Sequence, residues 1–198
     1  MLKLKNFSML LAAVFSLVAC TSLGAGKTLP LKTVDFVEVD AYLGLWNELY
    51  RFPNEFQDDQ PDGKSVCFNT TAEYDLIGDR KISVANSCSR MTPDNQVDTQ
   101  VAQGTAWVAN TKTNAELRVT FIPIPVIKWL GTGDYNILGL GPKGSDGKYA
   151  WAMVGSKDRN YAWILSRDKT MPQVLLDDLK NRFDQQGFDS TLFISTQK

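Results

Sequence analysis

Three cysteines, Cys20, Cys67 and Cys88, are the side chains of this 198-residue chain best suited to covalent chemistry. A thiol can be acylated, can bind a soft metal, or can oxidise with a second thiol to a disulfide. The chain contains no histidine. That excludes a Ser-His-Asp triad, an imidazole acid or base, and a histidine-ligated metal or haem. Glu48 and Asp134 are available acids, but no nucleophile–base pair can be read from their spacing. No catalytic residue, cofactor or metal site is therefore assigned. Net charge is −1 with no basic block, so nucleic acid is not an expected partner.

The first cysteine closes a leader. Lys3 and Lys5 precede an apolar run over 7–18, too short to span a bilayer as a helix. The run ends in Leu17-Val18-Ala19-Cys20, which resembles the lipobox of bacterial lipoprotein signal peptides. The resemblance implies diacylglycerol attachment to the Cys20 sulfur and cleavage before it. Thr21 follows in place of aspartate, resembling the outer-membrane sorting signal of Gram-negative lipoproteins. Expected organisation is a signal peptide over 1–19, a lipidated tether over 20–33 and one domain over 34–198. Losing residues 1–19 removes two lysines and no acid, leaving 19 basic against 22 acidic residues, a charge of −3.

The rest of the chain must be a scaffold, and its pattern is that of strands. In 44–54 a glycine opens a strand on which Trp46, Glu48, Tyr50 and Phe52 fall on one face by simple alternation. Further strand-like runs follow at 66–76, 81–88, 100–109, 115–122, 133–140, 148–155 and 161–167. Pro123 and Pro125 mark a rim loop. Short turns without long crossovers predict an all-β fold, an eight-stranded up-and-down antiparallel barrel. One C-terminal α-helix should pack outside it, opened by a Thr170–Gln173 capping box and ended by Gly187. Its stripe is Leu175, Leu176, Leu179 and Phe183, and 191–195 should return to the sheet edge.

With Cys20 acylated, Cys67 and Cys88 form an even pair in an exported chain, which predicts a disulfide between the second and third strands. If Tyr74 and Val84 both point inward, strict alternation puts Cys67 outward and Cys88 inward. A bulge near Asn69 or an irregular strand end would reconcile them.

Three motifs make the chain resemble the lipocalin family, specifically its bacterial outer-membrane lipoprotein members close to apolipoprotein D. They are Gly44-Leu45-Trp46 with Glu48 and Arg51, Gly133-Asp134-Tyr135-Asn136, and the run from Tyr161 to Arg167 that precedes the helix. Asn47 departs from the tyrosine usual in close relatives. The resemblance implies that the Arg167 guanidinium stacks on the Trp46 indole at the closed end, beside Gly44. It also implies a ligand cavity lined by Tyr50, Phe52, Ala72, Tyr74, Val84, Ala106, Leu117, Val119, Phe121, Asn136, Leu138, Trp151, Met153 and Trp163. Such a lining suits one acyl chain of a fatty acid or lysophospholipid, with its head at the mouth. The expected function is storage or transport of such lipids at the outer membrane, without enzymatic activity. The alternatives are a lipocalin-fold enzyme acting on a small lipid-like substrate, or a surface lipoprotein with a filled barrel and a protein partner.

Overall fold

The computed structural model describes residues 30–58, 66–122 and 131–198. A short helix α1 (Val39–Tyr42) leads into β1 (Gly44–Arg51), β2 (Phe68–Gly78), β3 (Lys81–Met91), β4 (Val97–Val108), β5 (Glu116–Thr120), β6 (Thr132–Leu140), β7 (Trp151–Gly155) and β8 (Ala162–Ser166). Helix α2 (Gln173–Gln185), a 3-10 turn (Ser190–Leu192) and a two-residue β9 (Ile194–Ser195) complete the chain. Each strand pairs antiparallel with the next, and β1 pairs with both β2 and β8. The eight strands thus close on themselves. β2 follows β1 only through Asn47, and β9 takes the vacated edge at Tyr50 and Arg51.

One end of the barrel is sealed by backbone. Val37 donates its N–H to the Thr113 carbonyl (2.8 Å), and Tyr149 donates to that of Ala41 (3.1 Å). These bonds draw α1 across the opening. At the other end lie residues 52–58, the 92–96 turn and the 156–161 loop. The segment before α1 runs down the outside between the two ends. The Lys32 N–H reaches Gln186 Oε1 (2.9 Å) and the Val34 N–H reaches the Ile137 carbonyl (3.0 Å).

Two apolar layers hold the fold. The interior gathers Trp46, Ala72, Tyr74, Val84, Ala106, Leu117, Ile137, Val154 and Leu165. The second lies outside, where Leu176, Leu179 and Phe183 of α2 cover Leu138, Trp151, Met153 and Ile164. Each large apolar side chain so buried contributes about 1.5–3 kcal/mol.

The expected helix forms but its capping box does not. Pro172 stands at the N-cap, which has no side-chain cap, and Gln173 bonds forward to Asp177 (2.7 Å). Gly187 does end the helix, with φ +83°, as the left-handed conformation there requires.

Candidate functional site

The closed end is organised by Trp46 and Arg167. The indole Nε1–H donates to the Tyr42 carbonyl (2.8 Å), and the Arg167 guanidinium carbon sits 3.6 Å from the ring centroid. Arg167 also donates to the carbonyls of Tyr42 (3.1 Å), Leu43 (3.0 Å), Leu45 (2.6 Å) and Tyr149 (3.2 Å). Gly44 adopts φ +95°, a left-handed conformation that favours glycine, directly below this guanidinium. Asn47 is buried and donates to the Arg167 carbonyl (2.8 Å), so its amide serves the same junction.

Above the indole stand three tyrosines. Tyr135 Oη lies 2.6 Å from Tyr42 Oη and 3.1 Å from Tyr74 Oη. Burial pushes the Tyr42 and Tyr135 phenols well above their ordinary range and Tyr74 up to about 12. Sequence reading placed Tyr74 inside but missed Tyr42 and Tyr135. The wall over the tyrosines is made of small side chains, Ala72, Val84, Gly104, Ala106 and Val119, on four successive strands. A Cβ at Gly104 would fall 2.8 Å from the Phe121 ring, so that phenyl lies directly on the glycine.

The open end is polar within and aromatic at its rim. Arg51 is 0 % exposed and donates to Glu48 Oε1 (3.0 Å) and to both carboxylate oxygens of Asp58. Burial pushes the Glu48 carboxyl up, against the pull of Arg51. Burial alone would lower the Arg51 pKa, but Asp58 and Glu48 outweigh it and raise it. Phe56, 71 % exposed, stacks on Tyr161, which stacks on Trp163 (ring centroids 6.2 and 6.0 Å apart).

Of the lining residues expected from sequence, Tyr74, Val84, Leu117, Val119, Trp163, Ala72 and Ala106 lie in or against the interior cluster. Phe121 stands at the rim, 41 % exposed. Tyr50, Phe52, Leu138, Trp151 and Met153 do not line the interior; they belong to the layer under α2. In β1 the cause is a register shift between Glu48 and Tyr50 against β8. One extra residue reverses the faces beyond it, turning Arg51 in and Tyr50 toward Lys180 of the helix (5.2 Å). In β7 all five residues are buried, so polar–apolar alternation could not mark a face. Ala152 and Val154 are the inward ones. In β6, Tyr135 and Ile137 face in, while Asn136 donates to the Gly155 carbonyl of the next strand (3.0 Å).

Cys67 and Cys88 form the expected disulfide, with Cα atoms 5.4 Å apart. Of the two irregularities that would reconcile their faces, the bulge is the one present. Pairing between β2 and β3 shifts between Phe68 and Thr71, and Asn69 takes φ 47°. Cys20, the expected lipidation site, lies outside the described residues.

Two spaces adjoin these elements. A cavity of about 10 Å³ near α1, between Val37, Tyr42, Ile82 and Leu117, holds at most about one water. A groove of about 370 Å³ lies outside the barrel, between residues 32–35, Leu138 and Gln186.

Residues 37–198 match the family of lipocalin-like domains. Over 188 residues the chain is 31% identical to the outer membrane lipoprotein Blc of Escherichia coli, covering 94% of this chain and 92% of that one. The Blc protein of Vibrio cholerae is 29% identical, with 94% and 98% covered. Mouse apolipoprotein D is 26% identical, with 100% and 96% covered. Among solved structures, insecticyanin from the tobacco hornworm superposes with a TM-score of 0.55 at 21% identity, covering 84% and 83%. Lobster apocrustacyanin A1 gives 0.54 at 15%, covering 80% and 78%. These structures share the fold.

Proposed function

The chain belongs to the lipocalin family, and from that premise we propose that it is an outer-membrane lipoprotein whose barrel binds one fatty acid or lysophospholipid. The observation that carries the reading is an interior wall of small side chains beneath a mouth with exposed aromatics. Ala72, Val84, Ala106 and Val119 line the interior, and beyond the polar cluster of Glu48, Arg51 and Asp58 the rim carries Phe56 and Phe121 exposed to solvent. Exposed large aromatics beside such an interior are suited to admit an acyl chain, whose burial gains about 25 cal/mol per Å². The relatives named outer membrane lipoprotein support the location and the anchor at Cys20.

The reading is of a carrier. Glu48 and Asp134, the acids available for catalysis, are each engaged by an arginine, Arg51 and Arg118.

A second reading, a filled barrel that meets a protein partner, is favoured by the tyrosines that occupy the interior beside α1. Mass spectrometry of lipid extracted from the purified chain separates the two, together with titration of tryptophan emission by palmitate. Saturable quenching with a bound lipid is expected. No bound lipid and no emission change would discard the lipid-binding reading. Fractionation tests the anchor: Cys20→Ser should leave the membrane fraction for the soluble one, and a variant that stays would refute it.

A further inference from the structure

The mouth contains a guanidinium that no water reaches, paired with a carboxylate brought in by a loop. Arg51 has a side-chain exposure of 0 %, whereas its partner Asp58 is 17 % exposed. Arg51 Nε and Nη2 address the two Asp58 oxygens as a fork, Nη2 also reaches the Cys67 carbonyl (3.4 Å), and Nη1 takes Glu48. From β3, Arg90 donates to the carbonyls of Phe56 (3.3 Å) and Gln57 (3.1 Å). Two arginines rooted in the barrel wall therefore hold residues 56–58 over the mouth. The fork-and-carboxylate geometry is the one by which a protein takes a ligand's carboxylate or phosphate.

We propose that Arg51 is the seat of a lipid's oxyanion, the carboxylate of a fatty acid or the phosphate of a lysophospholipid, and that Asp58 fills this seat in the ligand-free chain. The inference rests on the lipid-binding reading and assigns the position of the head. Exchange keeps an anion on the guanidinium, since one oxyanion leaves as another arrives, so the buried arginine never stands unpaired. Asp58 is the partner that can exchange, lying at the solvent side on a loop where, among the described residues, its carboxylate otherwise accepts only the Asn54 N–H (2.8 Å), while Glu48 is fixed in β1. A second observation marks the same stretch of wall. Thr70 is 4 % exposed, and its Oγ1 has no hydrogen-bond partner among the described residues. It lies two residues along β2 from inward Ala72, toward the mouth, so its hydroxyl faces the interior. On β3, two residues from inward Val84, the half-buried Asn86 has its Oδ1 shielded from solvent and likewise without a partner among the described residues. Buried polar atoms of this kind ordinarily find partners, and a ligand head would supply them. Trp163 faces Arg51 across the β1–β8 pairing, which puts an indole beside the head.

The test compares three ligands that share a sixteen-carbon chain on the full, delipidated protein: palmitate, palmitoyl lysophosphatidate and hexadecanol, with inorganic phosphate as competitor. Binding is read from tryptophan emission. At least one of the two anionic lipids should bind about tenfold or more tighter than hexadecanol. Asp58→Asn, which keeps a hydrogen-bonding side chain but removes the internal competitor, should tighten that anionic lipid by about tenfold and leave hexadecanol unchanged. The lipid should also raise the melting temperature of Asp58→Asn more than that of the parent. Equal affinity for hexadecanol and both anions would overturn the head assignment while leaving lipid binding intact. So would an Asp58→Asn chain with an unaltered ratio of anion to alcohol. Binding of free phosphate without any preference for the lipids would make the seat one for small anions and overturn its lipid form. Failure of all three lipids to bind would remove both readings together.

Discussion

The Arg167 guanidinium lies 3.6 Å over the Trp46 indole and joins the end of the last barrel strand to the beginning of the first. Its N–H groups gather the carbonyls of α1 and of the strand start, so one side chain closes both the ring of strands and the end of the barrel. The stack contributes about 0.5–2 kcal/mol, and the carbonyls it satisfies would be left without that donor in its absence.

Arg167→Ala should therefore lower stability by about 2–3 kcal/mol in urea denaturation and leave ligand affinity within twofold, because the mouth is at the other end. Arg167→Lys should recover little, since an ammonium has no planar fork to spread over an indole. Loss of binding at full stability would reassign the residue to the ligand site.

The tyrosine cluster makes stability sensitive to alkali. A phenol whose folded pKa is raised stabilises the fold below its unfolded pKa, and that contribution is lost as pH rises through the folded value. Tyr74 rises from 10.0 to about 12, and Tyr42 and Tyr135 shift the same way. Stability should hold up to about pH 10 and fall from there to about pH 12. Tyr135→Phe should cost about 1–3 kcal/mol, since both neighbouring hydroxyls lose their partner. A phenolate absorbance titration showing all six tyrosines ionising near the ordinary value in the folded chain would contradict this.

Face assignment can be tested by a pair of substitutions. Val119→Glu puts a carboxylate into the interior and should abolish lipid binding where the fold survives. Met153→Ala opens the layer beneath α2 and should cost about 2–5 kcal/mol with affinity unchanged. The opposite pattern would return Met153 to the ligand cavity.

The disulfide spans 21 residues and joins the start of β2 to β3. In the chain-entropy model a loop of that size contributes about 3 kcal/mol. Cys67→Ser/Cys88→Ser should unfold at correspondingly lower urea, and alkylation of the parent without reductant should leave both thiols unmodified.

Much of this was legible from residue pattern. Eight strands, the late helix and the irregularity between Cys67 and Cys88 follow from alternation, turn residues and parity, whereas the Trp46–Arg167 stack followed only from the resemblance of three motifs to the lipocalins. Alternation failed where both faces of a strand are apolar. Trp151 and Met153 are as hydrophobic as Ala152 and Val154, and the helix outside makes their surroundings as dry as the interior. It failed again past Glu48, because nothing in Glu48-Leu49-Tyr50 announces an extra residue. The mouth network was hidden for a different reason. Arg51 and Asp58 are ordinary surface types, and only the return of the loop buries them.

The path of residues 31–37 has a mechanical consequence. Lys32 meets Gln186, whose carbonyl receives Arg159 Nε from the open-end loop (3.2 Å), so the chain joins the barrel at the level of its rim. From the proposed anchor at Cys20, the eleven residues to Leu31 reach at most about 40 Å fully extended. A leash that short, fastened beside the opening and not beneath the sealed end, would hold the barrel to the bilayer by its lip. A lipid leaving the membrane would then have only the width of that gap to cross.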